Sequence, residues 1–137
     1  MGAAFELDAR LAADTLPVGD LPLCRVLLMR DRRYTWLVLV PRCAGMVEVA
    51  DLDEDERATL WHEVDRAAAA LRAAAPCDKV NIGALGNIVR QLHVHVLARV
   101  EGDAAWPGPV WGHGAAVPYE DGEAERLVAV LRPLLGI

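Results

Sequence analysis

The stretch Gln91-Leu92-His93-Val94-His95-Val96-Leu97-Ala98-Arg99 decides how the rest of the chain is read. Successive side chains of a β-strand point to opposite faces. If residues 91–100 form a strand, Gln91, His93, His95 and Arg99 share one face, while Leu92, Val94, Val96 and Ala98 turn to the core. A single buried histidine is commonly a satisfied core residue. Packing explains less well two histidines in register with a glutamine and an arginine, because every buried polar group needs a partner. Imidazole titrates near neutrality and its neutral nitrogen is nucleophilic, so this face offers a base, a ligand or a nucleophile.

Working upstream, residues 79–85 read as another strand and residues 83–87 as a turn containing Gly86-Asn87. Before them the period changes. Leu60, Val64, Ala67, Ala68 and Leu71 fall on one helical face, and Glu63, Asp65, Arg66 and Arg72 lie elsewhere. Asp53 with Glu56 three residues later forms a capping-box pattern, acidic residues crowd the first turn, and Pro76 stops the helix. A long helix is therefore predicted over 53–75. Residues 23–29 and 34–40 are apolar runs separated by the charged cluster Arg30 to Arg33, a hairpin signal. Neither run alternates strictly, so both strands should be largely buried. Residues 1–20 read as a short helical turn and a loop ending in Pro17-Val18-Gly19-Asp20.

Downstream, residues 102–114 include AWPGPVWGHG, too rich in breakers for regular structure. Residues 123–134 read as a terminal helix with Leu127, Val130, Leu131 and Leu134 on its apolar face. There is no internal repeat and no boundary, so the expectation is a single domain over residues 1–137. The expected fold class is α+β: a mainly antiparallel sheet of about five strands, the long helix packed on one face, the signature strand central, and a C-terminal helix.

Composition narrows the function classes. Hydrophobic residues make up 54% and charged residues 25%, as in a globular protein. The net charge of -6 provides no basic field for a nucleic-acid backbone, although arginines such as Arg30, Arg32, Arg33, Arg42, Arg90 and Arg99 can still build a local anion site. The three cysteines, Cys24, Cys43 and Cys77, are far apart and include no CxxC pair, so reduced thiols in a cytoplasmic setting are the plain reading. The N-terminus lacks the basic start and apolar run of a secretory signal, and no apolar stretch approaches a membrane span.

The signature stretch, with the hairpin, long helix, Asn-bearing strand and turn before it and the WPGPVWG loop after it, resembles the histidine-triad superfamily. In that family's signature three histidines alternate with apolar residues. Here Gln91 occupies the first position, His93 the second and His95 the third. Gln in that place resembles a bacterial branch of diadenosine polyphosphate hydrolases. The resemblance implies that His93 is the nucleophile of a nucleotidyl-histidine intermediate and that His95 contacts the reacting phosphate. It places Gln91 where the family has a histidine associated with the leaving group. An amide donates a hydrogen bond but delivers no proton at neutral pH, so turnover should favour good leaving groups. No cofactor is required for the attack, with Mg²⁺ able to accompany a polyphosphate substrate. The resemblance also implies a small-molecule nucleotide substrate and a homodimer.

It extends to three substrate-binding positions, each with a plainer reading beside it. Asn81 matches an amide near the phosphate, or is an ordinary edge residue. Asn87 matches an amide that meets phosphate oxygens, or is a turn residue tolerating a left-handed backbone. Asp31 matches an acid that binds ribose hydroxyls, or is a solvated turn acid. Trp106 and Trp111 either close over a base or a partner subunit, or pin their loop to the body. Arg99 reads as a salt-bridge partner, Arg90 and His62 as surface residues, and His113 as a solvated loop histidine.

Two other classes remain open. His-x-His on a strand also presents imidazoles to zinc or iron, but the sequence supplies no third ligand at a recognisable spacing. A nucleotide-binding protein with little or no turnover is the other, kept open by Gln91.

Overall fold

The computed structural model describes residues 4–137, so the first three residues of the N-terminal segment lie outside the described part. The core of the fold is a five-stranded sheet in the order β1-β2-β3-β5-β4. Its strands are β1 (Thr15–Asp20), β2 (Cys24–Met29), β3 (Thr35–Pro41), β4 (Lys79–Gly83) and β5 (Val94–Arg99). Every neighbouring pair is antiparallel. β5, the signature strand, is interior, hydrogen-bonded between β3 and β4. It begins at Val94, so Gln91, Leu92 and His93 approach it as irregular backbone.

Each face of the sheet has its own core. Val26, Leu28, Leu37, Leu39, Val94, Val96 and Ala98 point to the face covered by α2 (Glu54–Ala74) and α3 (Glu123–Leu135), where they meet Leu60, Val64, Ala67, Leu71, Leu131 and Leu135. The predicted capping box starts α2: Asp53 accepts from the Glu56 N–H and Glu56 returns a bond to the Asp53 N–H. The opposite face presents Leu27, Trp36, Val38, Val40 and Leu97 to α1 (Ala9–Asp14), the extended segment before it and the loop after β5, which supply Phe5, Leu7, Leu11, Ala105 and Val110. A sheet covered on both sides needs near-continuous apolar strands, which is why the hairpin runs do not alternate.

Three expectations are corrected. The helical turn over residues 1–20 exists as α1, but residues 15–20 form an edge strand. Pro17 is tolerated there because an edge N–H needs no ladder partner, and a register shift between Pro17 and Gly19 absorbs the irregularity. Glu63 does not lie on the polar side of α2. It is 4% exposed, and its carboxylate accepts from the N–H groups of Leu23 at 2.9 Å and Cys24 at 2.7 Å, satisfying the start of β2. The buried stripe of α3 is Ala124, Leu131 and Leu135, while Val130 and Leu134 are 50% and 42% exposed. A short helix rich in Leu and Val supports several stripes, and docking against α2 and β1 selects one.

Candidate active site

His93 and His95 are both buried, with ring centroids 4.9 Å apart and the rings edge to face. Both line a cavity of about 630 Å³, bounded by α1, the end of β2, the 85–89 turn and the loop after β5. That volume lies within the usual range for a small-molecule site.

The partners of the two imidazoles settle where their protons sit. Nδ1 of His93 is 2.6 Å from the main-chain carbonyl oxygen of Gln91. A carbonyl only accepts, so Nδ1 carries the hydrogen and the lone pair is on Nε2. Nδ1 of His95 is 2.9 Å from Nε1 of Trp36. An indole N–H only donates, so Nδ1 of His95 is the acceptor and its hydrogen is on Nε2. One ring thus keeps a nucleophilic lone pair and its neighbour an N–H donor. Burial, reinforced by the nearby His93 charge, pushes the His95 pKa down to about 3, so His95 stays neutral at physiological pH.

Trp36 was not among the residues singled out in the sequence. Its signal was available: Trp36, Val38 and Val40 alternate onto one face of β3. A buried indole N–H among aliphatic side chains needs an acceptor.

The loop aromatics divide between the two readings given for them. Trp111 lines the cavity, edge-on to His95 with centroids 5.4 Å apart. It rests on Gly83, the β4 residue opposite His95, where an added Cβ would come 2.9 Å from the indole. It therefore pins its loop and forms site wall at once. Trp106 stacks instead on the Arg99 guanidinium, 5.6 Å from its ring centroid.

The remaining candidates do not all converge. Asn87 lines the cavity with an exposed side chain that makes no hydrogen bond among the described residues. The left-handed backbone of that turn belongs to Gly86, at φ 74, so a turn requirement does not account for Asn87. Asp31 also lines the cavity. It pairs with the Arg33 guanidinium at 2.8 Å and accepts from the Val117 N–H at 3.3 Å. Burial opposes its charge, but the Arg33 bonds and the N–H groups of Arg33 and Val117 hold the carboxyl below its ordinary range. Its Oδ2 accepts from both Nε and Nη2 of Arg33, at 3.3 and 2.8 Å, so the carboxylate is held to the Arg33 guanidinium.

Asn81 stands apart from the histidines, its Oδ1 accepting from Arg99 at 2.8 Å. Arg99 is buried and paired with Asp103 at 2.8 Å, the salt-bridge role read for it. The Gln91 side chain is turned to the N-terminal segment: Oε1 accepts from the Asp8 N–H and Nε2 donates to the Glu6 carbonyl, each at 2.8 Å. It does not line the large cavity and borders instead a pocket of about 40 Å³ that shares His93, Leu85 and Gly86 with it. His62, Arg90 and His113 are exposed.

A HIT domain model matches residues 10–102. The chain belongs to the HIT, or histidine-triad, family. Histidine-triad proteins of known structure resemble it over nearly their whole length. One from Bradyrhizobium japonicum is 47% identical, over 97% of this chain and 99% of its own, with a TM-score of 0.94. One from Sinorhizobium meliloti is 51% identical, over 94% and 96%, at 0.92. One from Marinobacter aquaeolei is 42% identical, over 98% of each chain, at 0.95. No curated protein matches the sequence. Among the described residues of this HIT protein, no group of three His, Cys, Asp or Glu side chains is placed to hold a metal ion, and no helix is long and apolar enough to cross a membrane.

Proposed function

We propose that this HIT protein binds a nucleotide in the cavity and breaks the bond between its phosphate and a good leaving group through a nucleotidyl-histidine intermediate. The observation that carries the reading is the pair of opposite tautomers. The His93 Nε2 lone pair attacks phosphorus, a P–N bond forms, and the leaving-group oxygen departs with the electron pair of the broken P–O bond. The imidazole becomes positively charged, which strengthens its Nδ1–H bond to the Gln91 carbonyl. His95 donates its Nε2–H to a non-bridging phosphate oxygen, stabilising the charge that builds there. Water then attacks the phosphorus, and a P–O bond forms as the P–N bond breaks with its electron pair returning to Nε2. His93 leaves as neutral imidazole, and the proton lost by the water passes to solvent.

Neither neighbour supplies a proton to the leaving group. His95 is neutral and the Gln91 amide is engaged elsewhere. Phosphoanhydrides, whose leaving groups are stable as anions, are therefore favoured over alkyl phosphoesters. Diadenosine polyphosphates and related nucleotide conjugates are the substrate class, with Mg²⁺ free to accompany the polyphosphate. The exposed apolar side chains Leu85 and Ile88 at the cavity mouth, with Val110 and Trp111, offer surface for a base. Asn87 offers an amide to phosphate oxygens, and Asp31, with its Arg33 partner, stands on the cavity wall as the group for a ribose hydroxyl. The deciding experiment is mass spectrometry of enzyme quenched during turnover of diadenosine tetraphosphate, with a nucleotidyl adduct expected on His93. An adduct elsewhere would overturn the mechanism.

Among the described residues no proton donor stands beside the histidines, which also favours a second reading, a nucleotide binder that turns nothing over. Tight AMP binding with no adduct from any dinucleotide or phosphoramidate would establish it. We further propose a homodimer, for which β4 offers an unpaired sheet edge with exposed Ile82. A monomer mass in sedimentation would overturn that assembly.

A further inference from the structure

We propose that Gln91 is a positioning residue for substrate binding: its side chain latches the N-terminal segment so that α1 forms one wall of the cavity. The proposal rests on the nucleotide reading for what that wall receives. A primary amide presents a donor and an acceptor side by side. Gln91 uses both on backbone groups two residues apart, the Glu6 carbonyl and the Asp8 N–H, across separations of 85 and 83 residues. In effect the side chain pairs with the segment as one more strand would. Asp8 is also the N-cap of α1, its side chain accepting from the N–H groups of Arg10 and Leu11, so the latch is attached where α1 begins. From there α1 places Arg10, Leu11, Ala13 and Asp14 on the cavity wall.

The same residue touches the chemistry by a different route. The bond to Nδ1 of His93 comes from the Gln91 main-chain carbonyl, which every amino acid possesses. The side chain holds the wall and the backbone holds the nucleophile. Replacing the side chain should therefore separate binding from the chemical step. This gives the family's departure at position 91 a physical role that a leaving-group acid does not require.

The test compares Gln91→Ala and the near-isosteric Gln91→Glu, which puts an oxygen where the Glu6 carbonyl needs a donor. In both, backbone amide exchange over residues 4–14 should accelerate on the order of tenfold or more while the sheet keeps its protection. The AMP dissociation constant and the KM for diadenosine tetraphosphate should rise by about tenfold, with kcat within about twofold of wild type. Unchanged exchange in the segment would overturn the latch. So would a fall in kcat at unaltered AMP affinity, because Gln91 would then act on the leaving group. Wild-type protein that neither binds AMP nor forms an adduct would overturn the nucleotide reading instead, and the exchange data would still judge the latch.

Discussion

The two faces of the sheet are built on opposite terms. Under α2 and α3 the buried side chains from the sheet are aliphatic or small, and the buried charge among the described residues there, Glu63, is spent on two backbone N–H groups. Under the N-terminal segment and the Trp-rich loop the interior also holds His93, His95, Arg99 and Asp31, each tied by specific bonds to a partner. One face stabilises by apolar area, which is additive and indifferent to direction. The other is organised by hydrogen bonds that fix proton positions, and it contains the cavity. Stability and chemistry should therefore respond separately to substitution.

The sharpest break is His93→Ala. Loss of the nucleophile should lower turnover on the order of 10⁴-fold or more, while thermal unfolding stays close to wild type. Full turnover of diadenosine tetraphosphate by this variant would end the proposal. The converse variant is Leu60→Ala, on the fully buried face of α2. It should cost about 2–5 kcal/mol in denaturant unfolding, the usual loss for a buried leucine, and leave KM unchanged in the folded fraction.

A smaller effect is expected where the loop-side face borders the chemistry. Trp36→Phe keeps most of the ring area but removes the donor to Nδ1 of His95. Freed to exchange tautomers, His95 should lose its fixed Nε2–H, with kcat falling about tenfold, the size of one buried hydrogen bond. Nitrogen-15 chemical shifts of the imidazole should report the altered tautomer, and unaltered shifts would exclude this role for Trp36.

The mildest probe is pH. His95 is held neutral in the fold but titrates near its ordinary 6.5 when unfolded, so between those conditions the unfolded chain binds the extra proton. The contribution to stability is complete above pH 6.5 and drains away as pH falls toward about 3. His95→Gln should flatten the first part of that decline. The lowered carboxyls of Asp31 and Asp103 act in the same direction, but only below their ordinary 3.8.

How much was legible follows the same division. The helix-covered face was readable because period and capping are local: α2 starts at the predicted capping box, and Val94, Val96 and Ala98 enter the core as their alternation requires. The loop-covered face was readable only as a set of chemical groups. The histidine pair was evident from its spacing, and Asn87 and Asp31 do line the cavity. The partner of Asn81 is Arg99 on the neighbouring strand, and those of Gln91 lie at the other end of the chain. The strand over residues 15–20 was hidden because Pro17 and Gly19 are poor strand residues wherever the edge does not excuse them.

Local order alone determined that a strand with a period-two polar face follows a capped helix and a buried hairpin, because side-chain direction depends only on backbone repeat. Tertiary structure decided what each polar group does. A hydrogen bond requires a partner at about 3 Å in the right direction, and here the partners of Gln91, His95 and Asp31 come from segments between 2 and 86 residues away. The tautomer of His95 arises from one of those contacts, the Trp36 indole 59 residues away, and it is opposite to the one that the nearby Gln91 carbonyl sets on His93.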